Sequence, residues 1–166
     1  MSGCTFLTDK LNIFLLSIYF LLLLSFSLVS LTPEDSVIFY AANFILCFVI
    51  YSVLYFRNRN SEISLVKVIL AAVFFRMILI PVNPITSDDH FRYLWDGKLQ
   101  TEYVNPYQYS PDDSTLIPYH SESLPADVNH KQIKTIYPPL AQALFALSYL
   151  LSGESIAGLK LIYILL

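Results

Sequence analysis

Three apolar runs, separated by very few polar residues, constrain this chain more than any other feature. Leu11–Leu31, Val37–Phe56 and Ser64–Val82 each match or approach the about 20 apolar residues that a helix needs to cross a bilayer core. Only 14% of the residues are charged and 55% are hydrophobic, against about 25% charged in soluble domains. Mean hydropathy is +0.56. Backbone groups in lipid must be satisfied within their own segment, so the expected class is an all-α membrane protein with polytopic transmembrane helices.

The first run follows Lys10 and exceeds the roughly 7–15 residues of a signal-peptide core. No small-residue cleavage pattern follows it, so it reads as a retained anchor. Thr32-Pro33-Glu34-Asp35 then offers a cap, a first-position proline and two acids for the positive end of a new helix. A turn this short predicts an antiparallel hairpin of the first two spans. Arg57, Arg59 and Lys67 cluster around the next connection, which the positive-inside rule places in the cytoplasm. The N-terminus is then cytoplasmic as well, and residues 83–137 form a long extracytoplasmic loop. Arg76 lies past the middle of the third run. An ionisable group at depth is costly and is expected to face protein or a water-filled cavity.

The expected organisation is residues 1–82 as three spans (11–31, 37–56, 64–82), residues 83–137 as the outer loop, and residues 138–166 as a short transmembrane or re-entrant helix plus the start of another. The sequence stops inside that last apolar stretch, so a truncated chain is expected. The net charge of −3 argues against a nucleic-acid partner. Cys4 and Cys47 supply neither a disulfide framework nor a metal pair.

The outer loop opens with Ser87-Asp88-Asp89-His90-Phe91-Arg92-Tyr93-Leu94-Trp95-Asp96-Gly97-Lys98. Ser87 suits an N-cap and the aspartates suit the first turn. Asp88, Arg92 and Asp96 recur every four residues and share one face, while Phe91, Leu94 and Trp95 share another. The expectation is a short interfacial helix with Tyr93 and Trp95 at headgroup level. Carboxylates beside arginines fit transfer of a sugar from a lipid phosphate. One carboxylate deprotonates the acceptor hydroxyl, and an arginine receives the departing phosphate. A divalent metal ion held by Asp88, Asp89 and His90 is an alternative counter-charge. The plainer reading is helix capping with surface ion pairs of little energetic value.

Asn105-Pro106-Tyr107 is a turn signal. Tyr137 stands just before the helix-opening Pro138-Pro139, and Gln142 lies one turn into the apolar run that follows. As a polar residue there, Gln142 is expected to face protein or a cavity. His120 and His130 show no ligand spacing and read as surface residues.

Taken in order, Asp88–Lys98, Asn105-Pro106-Tyr107 and Thr135-Ile136-Tyr137-Pro138-Pro139-Leu140-Ala141-Gln142 resemble the first large outer loop of bacterial GT-C superfamily glycosyltransferases. The polyprenyl-phosphate-mannose-dependent mannosyltransferases are the nearest in pattern. The resemblance implies an integral enzyme of the bacterial plasma membrane, with its site on the outer face. It would transfer a hexose such as mannose, with inversion, from a polyprenyl-phosphate donor to a glycan or lipid acceptor. It implies a catalytic carboxylate at Asp89 or Asp88, with Asp89 favoured, and substrate contacts from Arg92, Arg76, Tyr137, Gln142, Asn105 and Tyr107. The pattern departs from the family in two places: the acidic motif follows a third span, and Tyr103-Val104 stand where a glycine is expected. Two other readings stay open. One is a non-catalytic membrane subunit, or inactive fragment, whose loop binds a partner or a lipid head group. The other is part of a transporter for lipid-linked sugars.

Overall fold

The computed structural model describes residues 9–28, 33–84 and 87–165. Every regular element among them is helical. The elements are α1 (Lys10–Leu28), α2 (Pro33–Asn58), α3 (Leu65–Met77), α4 (Asp89–Thr101), a 3-10 helix (Ser114–Tyr119), α5 (Pro139–Ser152) and α6 (Ile156–Leu165). The chain divides into two compact units, Met1–Ile85 and Thr86–Leu166.

In the first unit α1 and α2 form the expected antiparallel pair. The Thr32 cap and the last residues of the first apolar run lie outside the described residues. Asp9 accepts from the backbone N–H groups of Leu11 and Asn12, which caps α1. Its other oxygen pairs with Arg57 near the end of α2, at 2.8 Å. The Asn12 and Asn58 amides bond each other at 3.0 and 3.3 Å. Further along, Ser25 donates to Asn43. These polar side chains turn inward while Phe44, Phe48 and Phe56 face out, each at least 60% exposed. This is the inverse of a soluble amphipathic helix. Over Val37–Asn58 α2 is long and apolar enough to cross a membrane. Against α1, α3 packs aromatic rings: Tyr19 on Phe75 at 5.0 Å and Phe20 stacked on Phe74.

The third apolar run departs from expectation. The helix ends at Met77, not at Val82, and spans about 20 Å at 1.5 Å per residue. A hydrocarbon core is about 30 Å thick. Leu79, Ile80 and Val82 donate to carbonyls three residues back, a tighter winding than the α-helix. Pro81 lacks a donor and disfavours α-geometry at Ile80, and Pro84 repeats the effect. Arg76 is therefore an exposed residue of the last turn of α3, where a cation complements the helix dipole. It is not a group at mid-span.

In the second unit α4 packs along α5, and α6 folds back on α5. The core joins Leu94, Trp95 and Leu99 of α4 to Leu116, Leu124 and Val128 of the connecting segment, Phe145 of α5 and Leu159 of α6. Trp95 is 0% exposed, which corrects the expected headgroup position for its ring. Burying its area in a packed core outweighs placing it at an interface. Residues 102–137 are thus largely a folded layer over α4. Pro138 caps α5, Pro139 opens it, and Gly153 ends it at φ +62°.

Just beyond that end, Glu154 accepts from Lys98 at 2.9 Å and from the Ser121 and Ser123 hydroxyls at 2.9 and 3.0 Å. Burial raises its pKa, but these three donors more than offset that and hold it below the ordinary 4.5. A depressed folded-state pKa contributes stability above the unfolded value, and that contribution fades as pH falls through 4.5 and below. Glu154→Gln should therefore lower the melting temperature at neutral pH and differ little from the parent in acid. Melting curves recorded at several pH values check this, and a gap that stays constant with pH would contradict it.

Candidate functional site

The candidate site lies at the N-terminal end of α4. Asp88 occupies the cap position but makes no capping bond. It is Ser87 Oγ that accepts from the Asp89 N–H, at 3.1 Å. The sequence expected Ser87 itself at the cap, so the helix starts one residue later. Asp88 is exposed and meets Asn129 at 3.5 Å. Asp89 is half-buried in the first turn, where the helix dipole favours its charge. One turn on, Arg92 is buried.

Arg92 is held on two sides. Its Nε donates to Asp96 Oδ1 at 2.9 Å, and its Nη1 donates to the Ile133 carbonyl at 2.9 Å. Asp96 is 0% exposed. Its second oxygen accepts from Gln142 Nε2 at 2.7 Å. Gln142 also donates to Thr135 Oγ1 at 2.7 Å, and its Oε1 accepts from Gln100 at 2.6 Å. The expected surface pair of little value is thus a buried pair inside a closed polar network. Losing one partner would strand a charge away from water. Gln142 is 2% exposed and its polar atoms are all engaged. It faces protein, as the sequence suggested, and its side chain serves the network.

Tyr137 comes to the same end of α4. Its ring packs edge-on against Tyr93 at 5.0 Å and against Phe145 at 5.6 Å. Burial, a hydrogen bond with Tyr93 and the nearby Asp89 carboxylate push its phenol up, while Arg92 pulls the other way. The phenol therefore stays protonated at neutral pH. Asn105 and Tyr107 play local parts. Asn105 Oδ1 accepts from the Tyr107 N–H at 3.0 Å, a side-chain turn. The Tyr107 hydroxyl donates to the Tyr137 carbonyl, fastening the turn to the start of α5.

The structure thus gathers Asp89, Arg92 and Tyr137, and gives Gln142, Asn105 and Tyr107 supporting positions. Arg76 belongs to the first unit. Asp88, Asp89 and His90 do not converge. No three His, Cys, Asp or Glu side chains are placed to share a metal ion among the described residues. His90 Nδ1 lies 3.3 Å from the Ser87 carbonyl and its ring packs on Phe91 at 4.2 Å. No step is assigned to a metal.

The roles of Asp96, Gln100 and Thr135 were not read from sequence. The four-residue spacing of Arg92, Asp96 and Gln100 was a usable signal. Thr135 joins through the chain reversal before α5, which no spacing predicts. No family model, curated protein or solved structure matches this sequence.

Proposed function

We propose that this chain carries the acidic site of a membrane glycosyltransferase that moves a hexose, mannose being the first candidate, from a polyprenyl-phosphate donor to an extracytoplasmic glycan or lipid acceptor. The observation that carries the reading is the convergence of Asp89, Arg92 and Tyr137 at one end of α4. Each has a part in inverting transfer. The acceptor oxygen attacks the anomeric carbon and its proton passes to the Asp89 carboxylate. The bond between that carbon and the phosphate oxygen breaks, and the electron pair leaves with the polyprenyl phosphate. Arg92 faces the resulting dianion, and the Tyr137 hydroxyl donates to a phosphate or sugar oxygen.

The setting supports a lipid-borne donor. The first unit is polar inside and aromatic outside, with one helix long enough to span a bilayer. On α5, Leu140, Leu150 and Leu151 are also exposed, directly after Tyr137. A polytopic GT-C arrangement with residues 83–137 outside the cell accounts for both features.

The test is sugar transfer in vesicles containing the protein, with synthetic farnesyl-phosphate mannose as donor. Asp88→Asn together with Asp89→Asn should abolish transfer. Full transfer by that double variant would end the proposal.

A further inference from the structure

Arg92 is 8% exposed, yet one of its nitrogens is left over. Nε is taken by Asp96 and Nη1 by the Ile133 carbonyl. Nη2 has no hydrogen-bond partner among the described residues, and it is not enclosed. A buried guanidinium held at two corners with the third open is poorly solvated and fixed in direction. Its free edge suits an anionic oxygen, which meets the donor without first displacing a full hydration shell.

What fixes the direction is Asp96. The carboxylate is itself held at both oxygens, by Arg92 at 2.9 Å and by Gln142 at 2.7 Å. Gln142 in turn is held by Thr135 and Gln100. The chain of bonds runs from α4 to α5 and back, so Arg92 cannot swing without breaking its bonds to the braced Asp96 on α4 and to the Ile133 carbonyl before α5. If Asp96 only stabilised the fold, any partner that neutralised Arg92 would serve. A carboxylate braced on both oxygens does more, because it specifies a rotamer.

We propose that Asp96 is a positioning residue, which with Gln142 sets Arg92 so that Nη2 is presented to a phosphate oxygen of the substrate. This rests on the glycosyltransferase reading above and adds residues that act through Arg92 without touching the substrate. It predicts thermodynamic coupling: Asp96 matters for anion binding only while Arg92 is present.

The experiment is a double-mutant cycle on the full chain in detergent, with farnesyl phosphate as the probe and farnesol as the uncharged control. Trp95, the sole tryptophan, reports binding from within the same helix. Asp96→Asn should weaken farnesyl phosphate by about tenfold or more, the scale of a hydrogen bond to a charged group, and leave farnesol unchanged. Arg92→Gln should weaken the phosphate at least as much, and adding Asp96→Asn to it should cost nothing further. Should Asp96→Asn fail to fold, Gln142→Met removes one brace and leaves both charges in place. Its loss of about threefold should likewise vanish in the Arg92→Gln background. Affinity that ignores Asp96→Asn, or a loss that persists without Arg92, overturns the positioning role while Arg92 keeps its phosphate role. Parent protein that binds farnesyl phosphate no better than farnesol removes the phosphate role of Arg92 itself, and this inference with it.

Discussion

Gly97→Val is expected to prevent α4 and α5 from docking, and to cost about 3 kcal/mol or more. A Cβ on Gly97 would sit 2.8 Å from the carbonyl carbon of Phe145 and 3.2 Å from Tyr149 Cβ. Real Cβ atoms do not approach a backbone that closely, and the neighbour is helix backbone, which cannot rotate aside. The helices would have to separate. Separation breaks the 2.7 Å bond between Gln142 and Asp96 and opens the stack of Tyr93 on Phe145 at 4.6 Å. Even Gly97→Ala should destabilise, although alanine gains about 1 kcal/mol over glycine in a helix interior, because the clash exceeds that gain. Gly153 is the control. It has open space around it but a φ of +62° with ψ of −138°, a backbone region used essentially by glycine, so Gly153→Ala should cost only the about 1–3 kcal/mol of backbone strain, with no clash added. Thermal melts of the detergent-solubilised chain separate the cases. A Gly97→Ala melting point at or above that of the parent would show that α4 and α5 are not in this close contact.

The second large effect separates two neighbouring carboxylates. Under the proposed transferase reading, Asp89→Asn should reduce sugar transfer by about a thousandfold, within the range for losing a positioned general base, with donor affinity changed far less. Asp88→Asn should leave most of the activity. The difference follows from placement: Asp89 is half-buried beside Tyr137 and one turn from Arg92, whereas Asp88 is exposed at the cap. A base needs a fixed line to the acceptor hydroxyl, and an exposed cap residue does not provide one. Initial rates at saturating donor, for the two single variants, are the measurement. Equal losses would mean that the carboxylates act as a pair, and a larger loss for Asp88 would reverse the assignment.

Much of this architecture was legible because hydrophobic length is a direct physical signal. The second apolar run is α2, and the prolines at 138 and 139 open α5 as their missing donors require. The third run misled because apolar composition does not register where a helix must stop. Pro81 and Pro84 ended it several residues early. For the site, the four-residue spacing placed Arg92 and Asp96 together, but spacing says nothing of burial. A pair that looked like surface decoration proved to be enclosed, because residues 116–135 fold over it. Trp95 misled for the same reason. An amphipathic ring fits an interface or a core equally well, and the choice depends on distant residues such as Leu116, Leu124 and Val128. Gly97 carried no readable sign of its role, since close helix approach is a property of the partner.

The segment between α4 and α5 is anchored at several points along its length: Tyr107 to Tyr137, Ser121 and Ser123 to Glu154, and Ile133 to Arg92. Each anchor divides a long loop into shorter ones, and short closed loops have little freedom left to lose. A protease needs several residues of extended, unhindered backbone, and this segment offers few. Its amides should exchange with solvent on the timescale of the helices beneath it. A substrate that reaches Arg92 would then meet a wall already in place, with little of its binding energy spent on ordering the protein.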